Sequence, residues 1–155
     1  MQPVLMPIIG MESGDRWELV GQWDSKKQEY HPFSWFYEFT HKDKKYRLFI
    51  PLGFKADGAS VPWIVTPIAR MRGRAMPDEA WLPHDYFYHR KGEMIDGELL
   101  EKKGKEWVPL YKVDREFVDE VFYSELKKKR HGLSSFKAPL AYRTVKWFGG
   151  RAWRT

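Results

Sequence analysis

Ser34-Trp-Phe-Tyr-Glu-Phe-Thr-His-Lys-Asp-Lys-Lys-Tyr-Arg-Leu-Phe-Ile50 decides the fold. Its first part, Ser34 to Phe39, is aromatic and β-prone, because flat rings pack well on a pleated surface. Its last part, Lys45 to Ile50, alternates polar and apolar residues, the period of a half-buried strand. Thr40 to Lys44 between them is short and charged, as a hairpin connection requires. Together they predict antiparallel pairing. Upstream, Arg16-Trp-Glu-Leu-Val-Gly-Gln-Trp23 has a partial strand pattern. Downstream, Pro51-Leu-Gly-Phe54 is expected to end the sheet, and Asp57-Gly-Ala-Ser-Val-Pro62 has the turn chemistry of a loop.

Beyond that loop the pattern turns helical. Trp63 to Arg70 suits a short helix, and Arg72 to Pro77 a basic connector. A helix is predicted over Asp78 to His89, kinked or split by Pro83 and ended by Gly92. Met94 to Leu110, with Asp96-Gly97 and Lys103-Gly104, reads as a short hairpin or an ordered loop. Asp114 is the expected N-cap of a helix to Lys129, in which Phe117, Val118, Val121, Phe122 and Leu126 make one buried stripe. Ser134 or Ser135 is placed to cap a last helix through Trp147, stopped by Gly149-Gly150. The fold class is therefore α+β: a small antiparallel aromatic sheet in the first third, then a helical part. One domain over 1–155 is expected, sheet-rich at 16–54, helical at 78–150, with a basic segment at 126–155.

The 155 residues are 43% hydrophobic and 17% aromatic, which excludes a disordered or collagen-like chain. No apolar run approaches the ~20 residues that span a bilayer. Met1 to Gly10 has no basic region before its apolar stretch, so no secretory signal is expected. Zero Cys excludes disulfides, thiolate catalysis and Cys-based zinc sites. The net charge of +6 is uneven: Leu126 to Thr155 holds nine Lys or Arg and no acid. Such an end suits nucleic acid, anionic lipid or an acidic protein, or is simply a solvated helix face. Phe136, Trp147 and Trp153 sit among those charges.

Three segments concentrate the polar groups with chemical potential: Asp57-Gly-Ala-Ser60, His84-Asp-Tyr-Phe-Tyr88 and Arg115-Glu-Phe-Val-Asp119. On a helix His84 and Tyr88 share a face, while Asp85 points about 100° away from His84. Arg115, Asp119 and Phe122 line one stripe, and a carboxylate on an apolar stripe requires a partner because bare burial is costly. If the two helices pack antiparallel, Asp119 reaches His84 or Tyr88. A histidine with one ring nitrogen on a carboxylate has the other free to take a proton from water. Asp57 and Asp85 then remain for a hard cation, which prefers oxygen ligands. Plainer readings stand beside these: Arg115 and Asp119 as an i,i+4 ion pair, Asp57-Gly58 as a turn, and Tyr86 to Tyr88 as core. His31, His41, His89 and His131 read as surface. No HExxH-type zinc motif is present.

Ile50 to Phe54, Asp57 to Pro62, His84 to Tyr88, Arg115 to Phe122 and Phe148 to Gly150 together resemble the phage-associated domain-of-unknown-function family numbered 1353, over residues 34 to 153. That resemblance implies a tailed-phage or prophage origin. More distantly, the same segments resemble the bacterial and fungal branch of phospholipase A(2), where an Asp-Gly loop, a helix with His-Asp-x-x-Tyr and an antiparallel helix with Arg-x-x-x-Asp-x-x-Phe form the site. This second resemblance implies that His84 activates water, Asp119 orients it and Tyr88 supports Asp119. It further implies calcium held by Asp57, Asp85 and the Gly58 carbonyl, with Ser60 and Arg115 as structural support. The function expected is a calcium-dependent lipid ester hydrolase acting on the host envelope. The alternative is a non-catalytic virion component of the tail tip or baseplate, and a third reading is a host-directed binding protein. Expected partners are phage structural proteins or host envelope lipid, in the virion or the host cytoplasm. No specific nucleic-acid motif or transmembrane segment is found.

Overall fold

The computed structural model describes residues 1–7, 16–57 and 78–128, together with the single positions 139, 142, 143, 146, 150 and 153. The expected helix over 63–70 and connector over 72–77 lie outside them, as does most of the expected last helix. Gly150 and Trp153 are themselves helical, so the backbone is still helical beyond the expected stop at Gly149-Gly150.

The described chain is α+β. Strand β1 (Gln2–Pro7) pairs antiparallel with β2 (Arg16–Asp24), and the register shifts between Val4 and Leu5. Strand β3 (Glu29–His31) pairs with one end of β2, and β6 (Lys55–Asp57) with the other. The second sheet has the order β4 (Trp35–His41), β5 (Lys44–Ile50), β7 (Leu99–Lys103), β8 (Glu106–Pro109), all antiparallel. The strands predicted at 16–23, 34–39 and 45–50 are present within a residue or two. Two expectations are corrected. The sheet does not end at Pro51-Leu-Gly-Phe54: Gly53, at φ +87, turns the chain so that β6 returns to β2. Nor is the sheet confined to the first third: the hairpin read within 94–110 is present at 99–109, joins β5 and completes the second sheet.

The β4–β5 turn explains itself locally. Lys42 and Asp43 have φ of +48 and +62, the left-handed pair that two-residue hairpin loops use to match strand twist. Alternation on β4 then puts Trp35, Tyr37 and Phe39 inward, with neighbouring ring centroids 5.2 Å apart, and Phe39 stacks on Tyr46 of β5 at the same spacing.

Two helices cover this inner face. Helix α1 (Asp78–Arg90) runs continuously through Pro83, correcting the expected split. Pro83 removes one backbone donor, yet it is fully buried, so packing offsets the loss. Lys91, at φ +54, and Gly92, at φ +75, end the helix: the Gly92 amide donates to the Phe87 carbonyl and the Lys91 amide to that of Tyr88, both at 3.0 Å. Helix α2 (Arg115–Leu126) starts as expected, the Phe117 amide donating to the Asp114 carboxylate at 2.8 Å, but ends at Leu126 rather than Lys129. Leu82, Tyr86 and Phe87 of α1 and Val118, Val121, Phe122 and Leu126 of α2 complete the core against Leu48, Ile50 and Leu99. No helix among the described residues is long and apolar enough to cross a membrane.

Candidate active site

The helical period brings the polar residues together. His84 and Tyr88 lie one turn apart on α1, and Asp119 faces them from α2. Asp119 Oδ1 lies 2.9 Å from His84 Nε2 and accepts the Tyr88 hydroxyl at 2.7 Å. Arg115, one turn before Asp119, places its Nε 3.4 Å from Oδ2. His84 packs against Phe122 and Tyr88 against Asp119, an order that requires α1 and α2 to run antiparallel.

Burial decides how this cluster behaves. The Asp119 side chain is 3% exposed and that of His84 14%, so the carboxylate is enclosed while the ring retains an opening. A buried carboxylate requires partners, and Asp119 has three: hydrogen bonds to the His84 ring and the Tyr88 phenol, and an ion pair with the Arg115 guanidinium. A carboxylate only accepts, so the ring tautomer that bonds Asp119 is the one with its hydrogen on Nε2. In that tautomer of the neutral ring Nδ1 keeps the lone pair. The ring is flanked by two tilted rings, Tyr88, 4.2 Å away between centroids, and Phe122, 4.7 Å away. Burial, then the charge of Asp119, pushes the Tyr88 phenol far above its usual range, so it donates and does not ionise.

Two positions of the basic C-terminal segment reach this cluster. Arg115 Nη2 donates to the Lys146 carbonyl at 2.5 Å, and Trp153 meets the Tyr88 ring edge-on at 5.1 Å. Gly92 also touches Trp153: a Cβ there would fall 2.7 Å from the indole and 2.1 Å from the Val113 carbonyl oxygen. Trp153 had only its place among charges to signal it, because no local periodicity connects it to α1.

Of the expected cation ligands, Asp57 ends β6, its backbone opposite Arg16. Its side chain, Gly58 and Ser60 lie outside the described residues. Asp85 is half-buried on α1, on a different side of the helix from His84. Among the described residues no group of three or more His, Asp or Glu side chains gathers as a metal cluster.

One expected surface residue is not on the surface. The His41 side chain is 10% exposed, 3.3 Å from Glu120 and edge-on to Phe117 at 4.7 Å. Burial pulls its pKa down more than Glu120 pulls it up, so it is a neutral ring joining β4 to α2. His89 is exposed and His31 partly so, as expected, and His131 lies outside the described residues.

Residues 34–145 match the family described as Protein of unknown function (DUF1353). The match takes in most of the chain, and the chain belongs to that family. Neither among curated proteins nor among solved structures is there a match.

Proposed function

From a chain of this family carrying a histidine held by a buried aspartate, we propose that it is a phage-encoded hydrolase of lipid esters, acting on the host envelope. The observation that carries the reading is the 2.9 Å contact of His84 Nε2 with Asp119, which also accepts the Tyr88 hydroxyl and pairs with Arg115. His84 is the base: Nδ1 takes a proton from water as the water oxygen bonds to the ester carbonyl carbon. The tetrahedral adduct then expels the alkoxide, which receives that proton from His84, leaving an acid and an alcohol. Asp119 keeps the ring in the required tautomer and stabilises the imidazolium. Tyr88 and Arg115 position Asp119. The motif order and the antiparallel helix pair support the likeness to phospholipase A(2) on which the choice of substrate rests.

Calcium belongs to the same proposal. Asp57, Asp85 and the Gly58 carbonyl offer hard oxygen donors of the kind that ion takes, and when bound it would polarise the ester carbonyl. Added calcium is expected to raise the melting temperature by linkage, with chelator reversing the shift. Unchanged melting in excess calcium would remove the ion from the proposal.

The deciding experiment is phospholipid hydrolysis by the parent protein, with His84→Asn and Asp119→Asn beside it. Asparagine keeps size and hydrogen bonding while removing the base or the orienting charge. Both variants are expected to fold, by circular dichroism, and to lose about 10²–10⁴-fold in rate. A parent that cleaves no lipid ester with calcium present would overturn the reading in favour of a non-catalytic virion component.

A further inference from the structure

The second sheet has another face. Its inner side carries the core, and by register the outer side presents three rows across the strands. Thr40 and Lys45 pair on β4 and β5, with Lys102 and Trp107 paired on β7 and β8 at the same level. The next row is Glu38, Arg47, Leu100 and Pro109, and the third is Phe36 with Phe49. Glu38, Thr40, Lys45, Arg47, Lys102 and Trp107 line part of a groove of about 500 Å3, whose other wall is made by inward-facing Tyr37, Phe39 and Tyr46 and by Glu125 and Lys128 of α2.

The charges on this face do not balance. Arg47 pairs with Glu38 at 2.7 Å. Lys45 and Lys102 are both exposed and have no ion pair among the described residues. Like charges at one level of neighbouring strands are destabilising, so two exposed lysines placed there favour an anion between them. The rings are unusual too. Phe36 is 50% exposed and packs on Phe49 at 5.2 Å. Trp107 is half-buried, and the Arg47 guanidinium lies over its ring at 4.4 Å. A carboxylate or inorganic phosphate would account for the lysines and leave the rings unused.

We propose that this outer face binds single-stranded nucleic acid, with phosphates between Lys45 and Lys102 and bases stacked on the Phe36–Phe49 pair and on the Arg47–Trp107 ledge. Rows two residues apart stand about 7 Å from one another, a separation a splayed strand can span with successive bases. Base–aromatic stacking tolerates any sequence, because every base has a π-face. A membrane fits this face less well: Trp107, covered by Arg47, cannot insert its ring. The proposal uses none of the residues assigned to the ester site, so it stands independently of ester hydrolysis.

Fluorescence anisotropy of a labelled ten-residue oligothymidylate tests it, with the full chain titrated at several salt concentrations. Phe36→Ala and Trp107→Ala are each expected to weaken binding about 5- to 150-fold, the range for losing one stacked base. The double variant Lys45→Ala with Lys102→Ala is expected to lower the slope of log affinity against log salt by about 1.4. All three alter exposed or half-buried side chains, and a melting curve like the parent's confirms folding. Parent-like affinity in every variant would overturn the proposal and assign the binding elsewhere, such as the basic 126–155 segment. Equally tight binding of inorganic polyphosphate, unaffected by Phe36→Ala and Trp107→Ala, would overturn the stacking. Variants that lose anionic vesicles while keeping the oligonucleotide would make the face a membrane surface instead.

Discussion

Asp119 shows how one residue gains meaning from its surroundings. Alone it is an acid on an apolar stripe, and its burial demands partners. Spacing already named them, because His84 and Tyr88 share a helical face and Arg115 precedes Asp119 by one turn. What spacing withheld is their hierarchy: Tyr88 and His84 share Oδ1, while Arg115 lies nearer Oδ2. Tyr88 makes this arrangement measurable. Its phenol is pushed up chiefly by burial and then by Asp119, from an ordinary value of 10.0. The unfolded chain therefore loses this proton first. The stability Tyr88 contributes is full below about pH 10 and falls as pH rises above it, by at most about 1.4 kcal/mol per pH unit. Tyr46 and Tyr86 act in the same sense. Urea unfolding at pH 8 and pH 11 is expected to show a smaller alkaline loss for Tyr88→Phe than for the parent. An equal loss in both would mean that the phenol titrates normally.

At the scale of elements, legibility followed how local the signal was. The β4–β5 hairpin and the Asp114 cap depend on neighbours a few residues away, and both were readable. The 99–109 hairpin was readable as a hairpin, but not its place beside β5, because that pairing links Tyr46 to Glu101 across a helix. The β4–β5 turn is also a point of strain. Lys42 and Asp43 occupy left-handed backbone that Asn and Gly adopt at lower cost. Replacing the pair, Lys42→Asn with Asp43→Gly, is expected to stabilise the protein by about 1 kcal/mol, since neither exposed side chain packs in the core. Thermal melting checks it, and a lowered melting temperature would mean that Lys42 or Asp43 makes a contact worth more than the backbone strain.

For the molecule as a whole, the decisive tie is one that no pattern in the sequence revealed. Glu125 sits near the end of α2 and is 1% exposed, a place where periodicity predicts an apolar residue or a solvated acid. It accepts the Tyr37 hydroxyl at 2.6 Å and faces Lys128 Nζ at 3.1 Å, so it joins the helix to the middle of β4. Tyr37 is itself 3% exposed, so both groups are held away from bulk water in the folded protein. Tyr37→Phe takes one donor from a buried carboxylate that keeps Lys128, and Glu125→Leu takes one acceptor from a buried hydroxyl. Each is expected to cost about 1–3 kcal/mol. The double variant removes both polar groups together and is expected to recover much of that loss, because a buried pair replaced by apolar groups of similar size is often neutral. Urea curves followed by tryptophan fluorescence and by far-ultraviolet circular dichroism test the cycle. Coincident midpoints would show that sheet and helices unfold as one cooperative unit through this contact. Strictly additive losses would show that Tyr37 and Glu125 act independently, and that other contacts hold α2 to the sheet.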